Sequence, residues 1–205
     1  MGQNIWKDGI IGLMVGDALG VPVEFSSREE CEHNPVIGMR AYGTHNQPAG
    51  TWSDDSSMTL ATLDSIKQKG KIDYKDIMDK FTEWCLYADY TPFQEVFDIG
   101  VATSRAIIQY GKGTDPIDCG GKTEWDNGNG SLMRILPVCL YLYNRQKMIC
   151  TSENESIYLI HNVSALTHAH LRSQIACGIY YFMVKSVISR EGDLLAKLQW
   201  GIDAA

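Results

Sequence analysis

The chain passes from a loop into a helix at residues 52–58, which read Trp52-Ser53-Asp54-Asp55-Ser56-Ser57-Met58. Glycine and proline crowd the residues before this stretch, and a run compatible with a helix continues to Lys69 and is closed by Gly70. Ser53 is suited to cap the helix because its hydroxyl can accept a backbone N–H, and acids in the next turn are favoured by the positive end of the helix dipole. The stretch therefore predicts the start of a helix.

The two adjacent acids of this stretch allow two interpretations. In the first, Asp54 and Asp55 are solvated residues of an ordinary capped helix. In the second, they form half of a metal site, because ionised carboxylates beside the apolar side chains of Trp52 and Met58 need a cation or strong donors. Carboxylate, hydroxyl and water oxygens are the ligands that hard divalent cations prefer. The residues alone leave both interpretations open.

Helical periodicity recurs along the whole chain. Apolar residues spaced three or four apart predict further helices over residues 4–18, 74–88, 95–110, 153–168 and 171–189. In the first of these, glycines recur at the same spacing from Gly9 to Gly20 and predict a ridge that another helix can approach closely. No alternation typical of strands competes with this pattern, so we expect residues 1–205 to form a single all-α domain.

Composition narrows the classes of function. With 205 residues and 44% apolar residues the chain can bury a core, and a formal net charge of −7 without a basic block argues against binding a nucleic-acid backbone. No apolar run is long enough to span a membrane, and Lys7 and Asp8 interrupt the N-terminal residues, so we expect neither a membrane protein nor a signal peptide. The six cysteines lie far apart without a C-x-x-C pair, which predicts reduced core thiols in a cytoplasmic protein and argues against a zinc site.

Two acids near the N-terminus lie in apolar surroundings. Asp17 ends the glycine-lined helix, and Glu24 follows between Val23 and Phe25. Apolar surroundings favour a carboxyl group that exchanges a proton near neutral pH, as a general base must. The alternative is a helix end followed by an exposed loop acid.

A second glycine-rich segment reads Asn127-Gly128-Asn129-Gly130-Ser131-Leu132-Met133-Arg134. A glycine-rich loop that enters a helix presents unshielded N–H groups and a positive dipole end, which suits a phosphate or diphosphate. The segment has no lysine after its second glycine and does not read G-x-G-x-x-G, so it is neither a Walker loop nor a dinucleotide fingerprint. A simple Asn-Gly turn is the alternative interpretation.

An acid and a histidine complete the candidates. Asp98 lies on the predicted helix 95–110, where it can face inward at the edge of the apolar face or lie in solvent. His168 closes the predicted helix 153–168 and shares a face with His161. This place suits either the helix dipole or contact with a ligand.

The order of these motifs is more informative than any of them alone. Gly-Asp-Ala-Leu-Gly-x-Pro-x-Glu-Phe is followed by Trp-Ser-Asp-Asp-Ser-x-Met, Asp-Ile-Gly, Gly-Asn-Gly-Ser-Leu-Met-Arg and Leu-Thr-His. Together, over about residues 9–180, they resemble the ADP-ribosylglycohydrolase family, to which the dinitrogenase-reductase-activating glycohydrolases belong. The resemblance implies a compact all-α fold and two magnesium or manganese ions at the base of a cleft. It also implies hydrolysis of the glycosidic bond at the anomeric carbon of ADP-ribose attached to a protein side chain or small molecule.

The resemblance further implies roles for single residues. Ser53, Asp54 and Asp55 correspond to metal ligands, with serine in place of a frequent threonine. Glu24 resembles the acid of a loop that covers the metal centre, and Asp98 resembles the acid near the metal-bound water, so both are candidate catalytic residues. The implied substrate-binding residues are those of the diphosphate loop and the histidine that faces the ribose, namely Gly128, Asn129, Gly130, Ser131 and His168.

Two departures from the family pattern bear on activity. Val101 stands where related enzymes often have an asparagine that contacts the substrate. The family's remaining metal ligands come from a later Asp-x-Asp-(Ser/Thr) motif, which does not occur before Ala205. Three oxygen-donating side chains cannot complete two octahedral shells, although water could complete one weak site. Two predictions therefore stand side by side: a metal-dependent hydrolase of ADP-ribosylated substrates, or a non-catalytic ADP-ribose-binding or structural member with an incomplete metal centre.

Overall fold

The structure, a computed structural model, describes residues 4–149 and 152–205. The helices of these residues are α1 (Ile5–Gly20), α2 (Arg28–His33), α3 (Asp54–Lys69), α4 (Tyr74–Tyr87), α5 (Val101–Gly111), α6 (Leu136–Ile149), α7 (Glu153–Ala165), α8 (Leu171–Ser189) and α9 (Leu194–Asp203). Within the same residues the only strand-like pairings are two isolated bridges, Tyr42 with Gln47 and Gly121 with His168. The predicted all-α fold is confirmed.

The ends of α3 follow from the signals read in the sequence. The Oγ of Ser53 accepts the N–H of Asp55 at 3.3 Å, and Gly70 ends the helix in the left-handed region with φ 66°. Glycine adopts this conformation without the steric penalty that other residues carry. The helix therefore begins and ends where capping chemistry predicts.

Helix α3 lies against α1, α4 and α6 and so occupies the centre of the fold. Its Met58 is fully buried in one apolar cluster with Phe81 and Trp84 of α4 and with Val138 of α6. Burial of each such large side chain stabilises the fold by about 1.5–3 kcal/mol. The core therefore anchors α3 one turn away from Asp54.

The prediction of a helix over residues 95–110 is wrong at its N-terminal end, since α5 begins at Val101. Asp98 adopts the left-handed region with φ 59°, which a helix cannot contain, and Gly100 is extended at the N-cap. Asp98 therefore lies on the loop before α5 and not on the helix. The buried face of α5 carries Thr103 and Ala106, whereas Val101 is exposed.

Two other expectations about helices need correction. Helix α7 ends at Ala165, so His168 lies in the turn before α8 and not on the helix that carries His161. The predicted glycine ridge of α1 makes a close approach only at Gly9, where an added Cβ would lie 3.7 Å from Leu136 of α6, whereas the later glycines of α1 meet nothing within 4 Å. Most of the ridge therefore faces away from the other described helices.

The prediction of core thiols holds for Cys119, Cys139 and Cys177, which are buried, whereas Cys31 and Cys85 are only partly buried. The cysteines that the structure describes are free thiols, namely Cys31, Cys85, Cys119, Cys139 and Cys177. Cys150 lies outside the described residues. None of the described helices combines the length and the apolar character that crossing a membrane requires.

Candidate active site

Asp17 of α1 ties its helix to the first turn of α3. Its carboxylate accepts the N–H and the Oγ–H of Ser53 at 3.0 Å and 2.8 Å, and the N–H and the Oγ–H of Ser56 at 3.0 Å and 2.6 Å. These bonds satisfy backbone donors that a helix start leaves free. Because the Ser53 hydroxyl donates to Asp17 and accepts from Asp55, one of its lone pairs remains for another ligand. The predicted metal ligand Ser53 is thus first of all a helix cap.

The predicted metal ligands Asp54 and Asp55 lie close to other acidic side chains. Burial raises the pKa of Asp54 to about 8, and neighbouring carboxylates add to the shift. Burial likewise raises the pKa of Asp55 to about 6, with further contributions from nearby acids. The neighbours that act on one or both of them are Asp17, Glu24 and Asp98. Shifts of this sign arise when anions are held together away from water.

Glu24 and Asp98, the predicted catalytic residues, meet at His45. The Nε2 of His45 donates to a carboxylate oxygen of Glu24 at 2.6 Å and lies 4.0 Å from one of Asp98. One ligand atom from each of the three residues lies within 4.8 Å of the others, a spacing that a metal ion could bridge. Burial raises the pKa of Asp98 to about 6, and a hydrogen bond with Glu24 adds to the shift.

Sequence analysis missed His45, because a single histidine in a loop carries no spacing signal. Its contacts place it between the two candidate catalytic acids. The centroid of its ring lies 5.3 Å from that of Phe97, next to Asp98, and 6.1 Å from that of Phe25, next to Glu24. The imidazole therefore joins the two loops that carry the acids.

Backbone strain accompanies the two loop acids. Asp98 has φ 59° and Phe25, the residue after Glu24, has φ 61°. Non-glycine residues in this region cost of order 1 kcal/mol or more and persist where the surrounding structure imposes them. Such strain is frequent at functional sites, and here it occurs at or next to both loop acids.

The charge balance of the cluster suits a divalent cation. In residues 4–149 and 152–205 no lysine or arginine forms an ion pair with its acids, and His45 is their one ion-pair partner. The acids are Asp17, Glu24, Asp54, Asp55 and Asp98. Carboxylate oxygens are hard ligands, and a cation among them would offset the mutual repulsion of these negative charges. The donor set therefore fits Mg²⁺ or Mn²⁺ by its chemistry.

The glycine-rich loop presents backbone donors. In the described part of the chain, the N–H groups of residues 128–131 donate no hydrogen bond to another protein group. Gly128 and Asn129 are exposed, while the carbonyls of both are held, by Ser173 Oγ at 3.0 Å and by the N–H of Leu132 at 2.8 Å. A loop fixed through its carbonyls with free N–H groups is suited to an anion.

Ser131 and His168 lie at the inner side of this loop. Ser131 is fully buried, and its hydroxyl is hydrogen bonded to that of Ser164 at 2.8 Å, so its side chain faces the interior. His168 is 3% exposed, and a Cβ added at Gly130 would lie 2.7 Å from its Cε1 and 3.1 Å from its Nε2. Gly130 is therefore required for the imidazole to lie against the loop.

The first turn of α5 connects the acid cluster to the glycine-rich loop. Asp98 lies just before this helix, and the Oγ1 of Thr103 in its first turn lies 3.3 Å from where a Cβ of Gly130 would be. The N-cap Gly100 offers no side-chain hydrogen bond, so N–H groups at this helix start stay free for a ligand. The two parts of the predicted site therefore flank one helix N-terminus.

Comparison with known proteins identifies the class that this fold and site belong to. The family whose sequence profile matches is ADP-ribosylglycohydrolase, over residues 6–205. The chain belongs to the ADP-ribosylglycohydrolase family, as its motifs predicted.

Individual relatives agree with this membership. The chain is 30% identical to ADP-ribosylarginine hydrolase Tri1 of Pseudomonas putida (strain GB-1) over 79% of its own length and 41% of the relative's. It is 31% identical to ADP-ribosyl-[dinitrogen reductase] glycohydrolase of Rhodospirillum rubrum over 89% of its own length and 57% of the relative's. A solved structure described as an ADP-ribosylglycohydrolase-related protein complex superposes with a TM-score of 0.73 at 29% identity, covering 98% of this chain and 62% of that chain. The chain spans about half the length of the curated relatives it matches.

Proposed function

We propose that this protein is a metal-dependent hydrolase that cleaves the glycosidic bond between ADP-ribose and a protein side chain or small molecule. The observation that carries the proposal is the partly buried group of carboxylates at the start of α3, which no lysine or arginine neutralises in the described residues. A glycine-rich loop with free N–H groups lies at the other side of the α5 N-terminus. Family membership makes ADP-ribose the ligand that both features would share.

The acids divide into two roles in this proposal. Asp54 and Asp55, with the free lone pair of Ser53, would hold Mg²⁺ or Mn²⁺, of which the family resemblance implies two. A divalent cation, when bound, would lower the pKa of coordinated water and so supply a nucleophile for the anomeric carbon. Asp98, on the loop before α5, would accept a proton from water and return it during the reaction. Glu24 accepts a hydrogen bond from His45 and would help to orient the side of the site on which Asp98 lies.

The glycine-rich loop would bind the far end of the substrate. The free N–H groups of Gly128, Asn129 and Gly130, together with the backbone of Ser131, suit the diphosphate of ADP-ribose. His168 lies against this loop and would contact a ribose or phosphate oxygen. Contacts remote from the reacting carbon hold it in place and so lower the barrier to its reaction.

The first substrate to test is ADP-ribosylarginine. Two relatives are named for hydrolysis of ADP-ribosylarginine and of ADP-ribosylated dinitrogen reductase, respectively. We extend that chemistry to this chain as a proposal. We also propose that residues 1–205 act as one domain in the cytoplasm, a placement supported by the free thiols of the described cysteines.

Release of ADP-ribose from ADP-ribosylarginine, measured with Mg²⁺ or Mn²⁺ and with a chelator, tests the proposal. The double variant Asp54→Ala, Asp55→Ala should lose metal-dependent hydrolysis while its helical content, from circular dichroism, stays unchanged. The double variant Asp118→Ala, Asp203→Ala removes the same charge from exposed positions and should keep activity. Unchanged turnover in the first double variant would remove the assignment of the metal site.

The same assay distinguishes the proposed hydrolase from a non-catalytic or purely structural member of the family. A non-catalytic member would bind ADP-ribose with an affinity indifferent to Mg²⁺ and would release none from the arginine conjugate. A purely structural member would not bind ADP-ribose at all. Calorimetric titration of ADP-ribose with and without Mg²⁺ therefore assigns the protein to one of three classes.

A further inference from the structure

A buried chain of hydrogen bonds ends at His168. The Nη2 of Arg134 donates to the Oγ1 of Thr167 at 2.8 Å, and the same Oγ1 lies 2.9 Å from the Nδ1 of His168. Arg134 and Thr167 are fully buried. The proposed function assigns no role to either of these two side chains.

The direction of the hydrogen bonds follows from the donors that each group has. A guanidinium has donors only, so Thr167 Oγ1 must accept from Arg134. The Thr167 hydroxyl then has one proton to place, and in the described residues its one acceptor within hydrogen-bond distance is the Nδ1 of His168. Donation from Thr167 to an unprotonated Nδ1 is the arrangement that gives this proton an acceptor. In a neutral imidazole the proton must then be on Nε2.

We propose that Arg134 and Thr167 are positioning residues that hold His168 in its Nε2–H tautomer, so that the ring offers a hydrogen-bond donor to an anionic oxygen bound at the glycine-rich loop. The ligand class is a phosphate or diphosphate ester of a sugar. This inference rests on the proposed function for the identity of that ligand, but the tautomer itself does not depend on it.

The position of the ring agrees with this role. The ring edge that carries Nε2 faces the loop, since Cε1 and Nε2 would lie 2.7 Å and 3.1 Å from a Cβ of Gly130, and Nε2 would lie 3.4 Å from one of Gly128. The backbone of His168 is fixed as well, because its N–H donates to the carbonyl of Ser164 at 2.8 Å and its carbonyl accepts the hydroxyl of Ser164 at 3.0 Å. A ring held at both its backbone and its Nδ1 presents its remaining nitrogen in one direction.

The electrostatics explain why the tautomer matters. Burial lowers the pKa of His168 to about 4, and the charge of Arg134 adds to the shift, so the ring is neutral at pH 7. A neutral ring has a single donor, and the wrong tautomer would present a lone pair to an anion. Arg134 itself stays charged, because burial lowers its pKa only to about 10.

The burial of Arg134 lowers the stability of the fold. Its guanidinium lies 4.7 Å from the ring centroid of Phe81, and within the described residues its Nε and Nη1 have no hydrogen-bond partner. Burial of an incompletely paired charge destabilises a fold. The bond to Thr167 gives that charge a function. Because Arg134 stays protonated near neutral pH, it is always the donor to Thr167, and the direction of the hydrogen bonds that end at His168 does not reverse.

Nitrogen NMR of protein labelled with ¹⁵N-histidine tests the tautomer directly. The variant His168→Gln assigns the His168 signals by difference. In the wild type we expect a protonated Nε2 and an unprotonated Nδ1. Thr167→Val keeps the shape of the side chain and removes the hydroxyl, so Nδ1–H should become populated, whereas Thr167→Ser keeps the hydroxyl and should restore the wild-type pattern.

The binding arm of the experiment uses ADP-ribose as the probe. Thr167→Val should weaken its affinity about tenfold through the lost donor, while Thr167→Ser should stay close to the wild type. Thermal unfolding confirms that each variant is folded, and Thr167→Ala replaces Thr167→Val should the valine variant fail to fold.

The outcomes separate the inference from the proposed function. A wild-type His168 with its proton on Nδ1 would overturn the inference, and so would an Nε2–H tautomer that survives loss of the Thr167 hydroxyl. A wild type that shows the expected tautomer and binds no ADP-ribose would overturn the proposed function while the assignment of Arg134 and Thr167 as positioning residues of the ring stands.

Discussion

Asp17 holds two helices together with one carboxylate. Its bonds to Ser53 and Ser56 come from backbone and side-chain donors of the first turn of α3, and all of them are 3.2 Å or shorter. A helix start normally obtains such acceptors from its own N-cap residue. Here a second helix supplies them, so the position of Asp54 depends on a residue far away in the sequence.

Asp17→Asn should destabilise the fold although it changes few atoms. The amide keeps one acceptor oxygen and turns an NH₂ group toward donors of Ser53 and Ser56, which leaves hydrogen bonds unmade and donors facing donors. We expect a loss of about 2–4 kcal/mol in the free energy of unfolding. Urea denaturation measures it, and Asp8→Asn, at an exposed position of the same helix, is the control. Equal midpoints for the two variants would contradict the role given to Asp17.

His168 predicts how stability depends on pH. Its pKa is lowered in the folded protein to about 4 from 6.5, so between these values the unfolded chain binds more protons. Stability therefore falls as pH drops from 6.5 toward 4, and it is fully present above 6.5. His168→Gln should remove about 1–3 kcal/mol of this acid destabilisation relative to the wild type. His33→Gln, at an exposed position, should leave the pH profile unchanged, and parallel profiles for wild type and His168→Gln would disprove the assignment.

At the scale of helices, the start of α3 should respond to divalent cations. Mn²⁺ at ten times its dissociation constant stabilises a protein that binds it only when folded by about 1.4 kcal/mol, which is about 3–6 °C in melting temperature for a chain of this size. The variant Asp54→Asn, Asp55→Asn should lose this response.

The metal-free state gives an independent check on the same acids. In chelator at neutral pH the melting temperature of Asp54→Asn, Asp55→Asn should be no lower than that of the wild type, because burial and mutual repulsion already disfavour the two carboxylates. Sodium chloride at matched ionic strength controls for screening. A manganese response that survives in this variant would mean that the cation binds elsewhere.

Helices with local signals could be predicted from the sequence, and those shaped by distant contacts could not. The ends of α3 are encoded by Ser53 and Gly70, and the capping residue Asp73 precedes α4 in the same way. The start of α5 was misplaced because the left-handed backbone of Asp98 is imposed by its surroundings and not by its residue type. The turn that carries His168 was read as helix for the same reason, since its bridge to Gly121 joins residues far apart in the sequence.

The candidate site shows the same division. Asp54, Asp55, Glu24 and Asp98 were identified by residue type and motif order, and the structure brings their charges within reach of one another. His45 has no motif and was missed, because only the fold places it between the two loop acids. A sequence thus reveals chemistry that recurs in a family, while a contact made once by the fold has to be seen in three dimensions.

Over the whole molecule, the site is assembled from two halves that meet at the start of α5. The acid cluster would hold the cation, and the loop around Gly130 would hold the diphosphate. If one ligand spans both halves, Mg²⁺ must raise the affinity for ADP-ribose by the same factor by which ADP-ribose raises the affinity for Mg²⁺, since coupling between two binding sites is reciprocal.

Gly130→Ala should impair the loop that would hold the diphosphate and leave the acid cluster intact. The new methyl group would collide with His168, whose Cε1 lies 2.7 Å from the added Cβ, so the loop must move and the affinity for ADP-ribose should fall at least about tenfold. The thermal shift produced by Mn²⁺ should remain, because the acid cluster is untouched.

Gly12→Ala is the matched control for this prediction, since an added Cβ there meets nothing within 4 Å and lies inside helix α1. It should keep both ligands and gain about 0.5–1 kcal/mol of stability from the higher helix propensity of alanine. Loss of the manganese response in Gly130→Ala would show that the halves cannot be uncoupled and that the loop supports the metal centre itself. Retained affinity for ADP-ribose in Gly130→Ala would show instead that the diphosphate binds away from this loop.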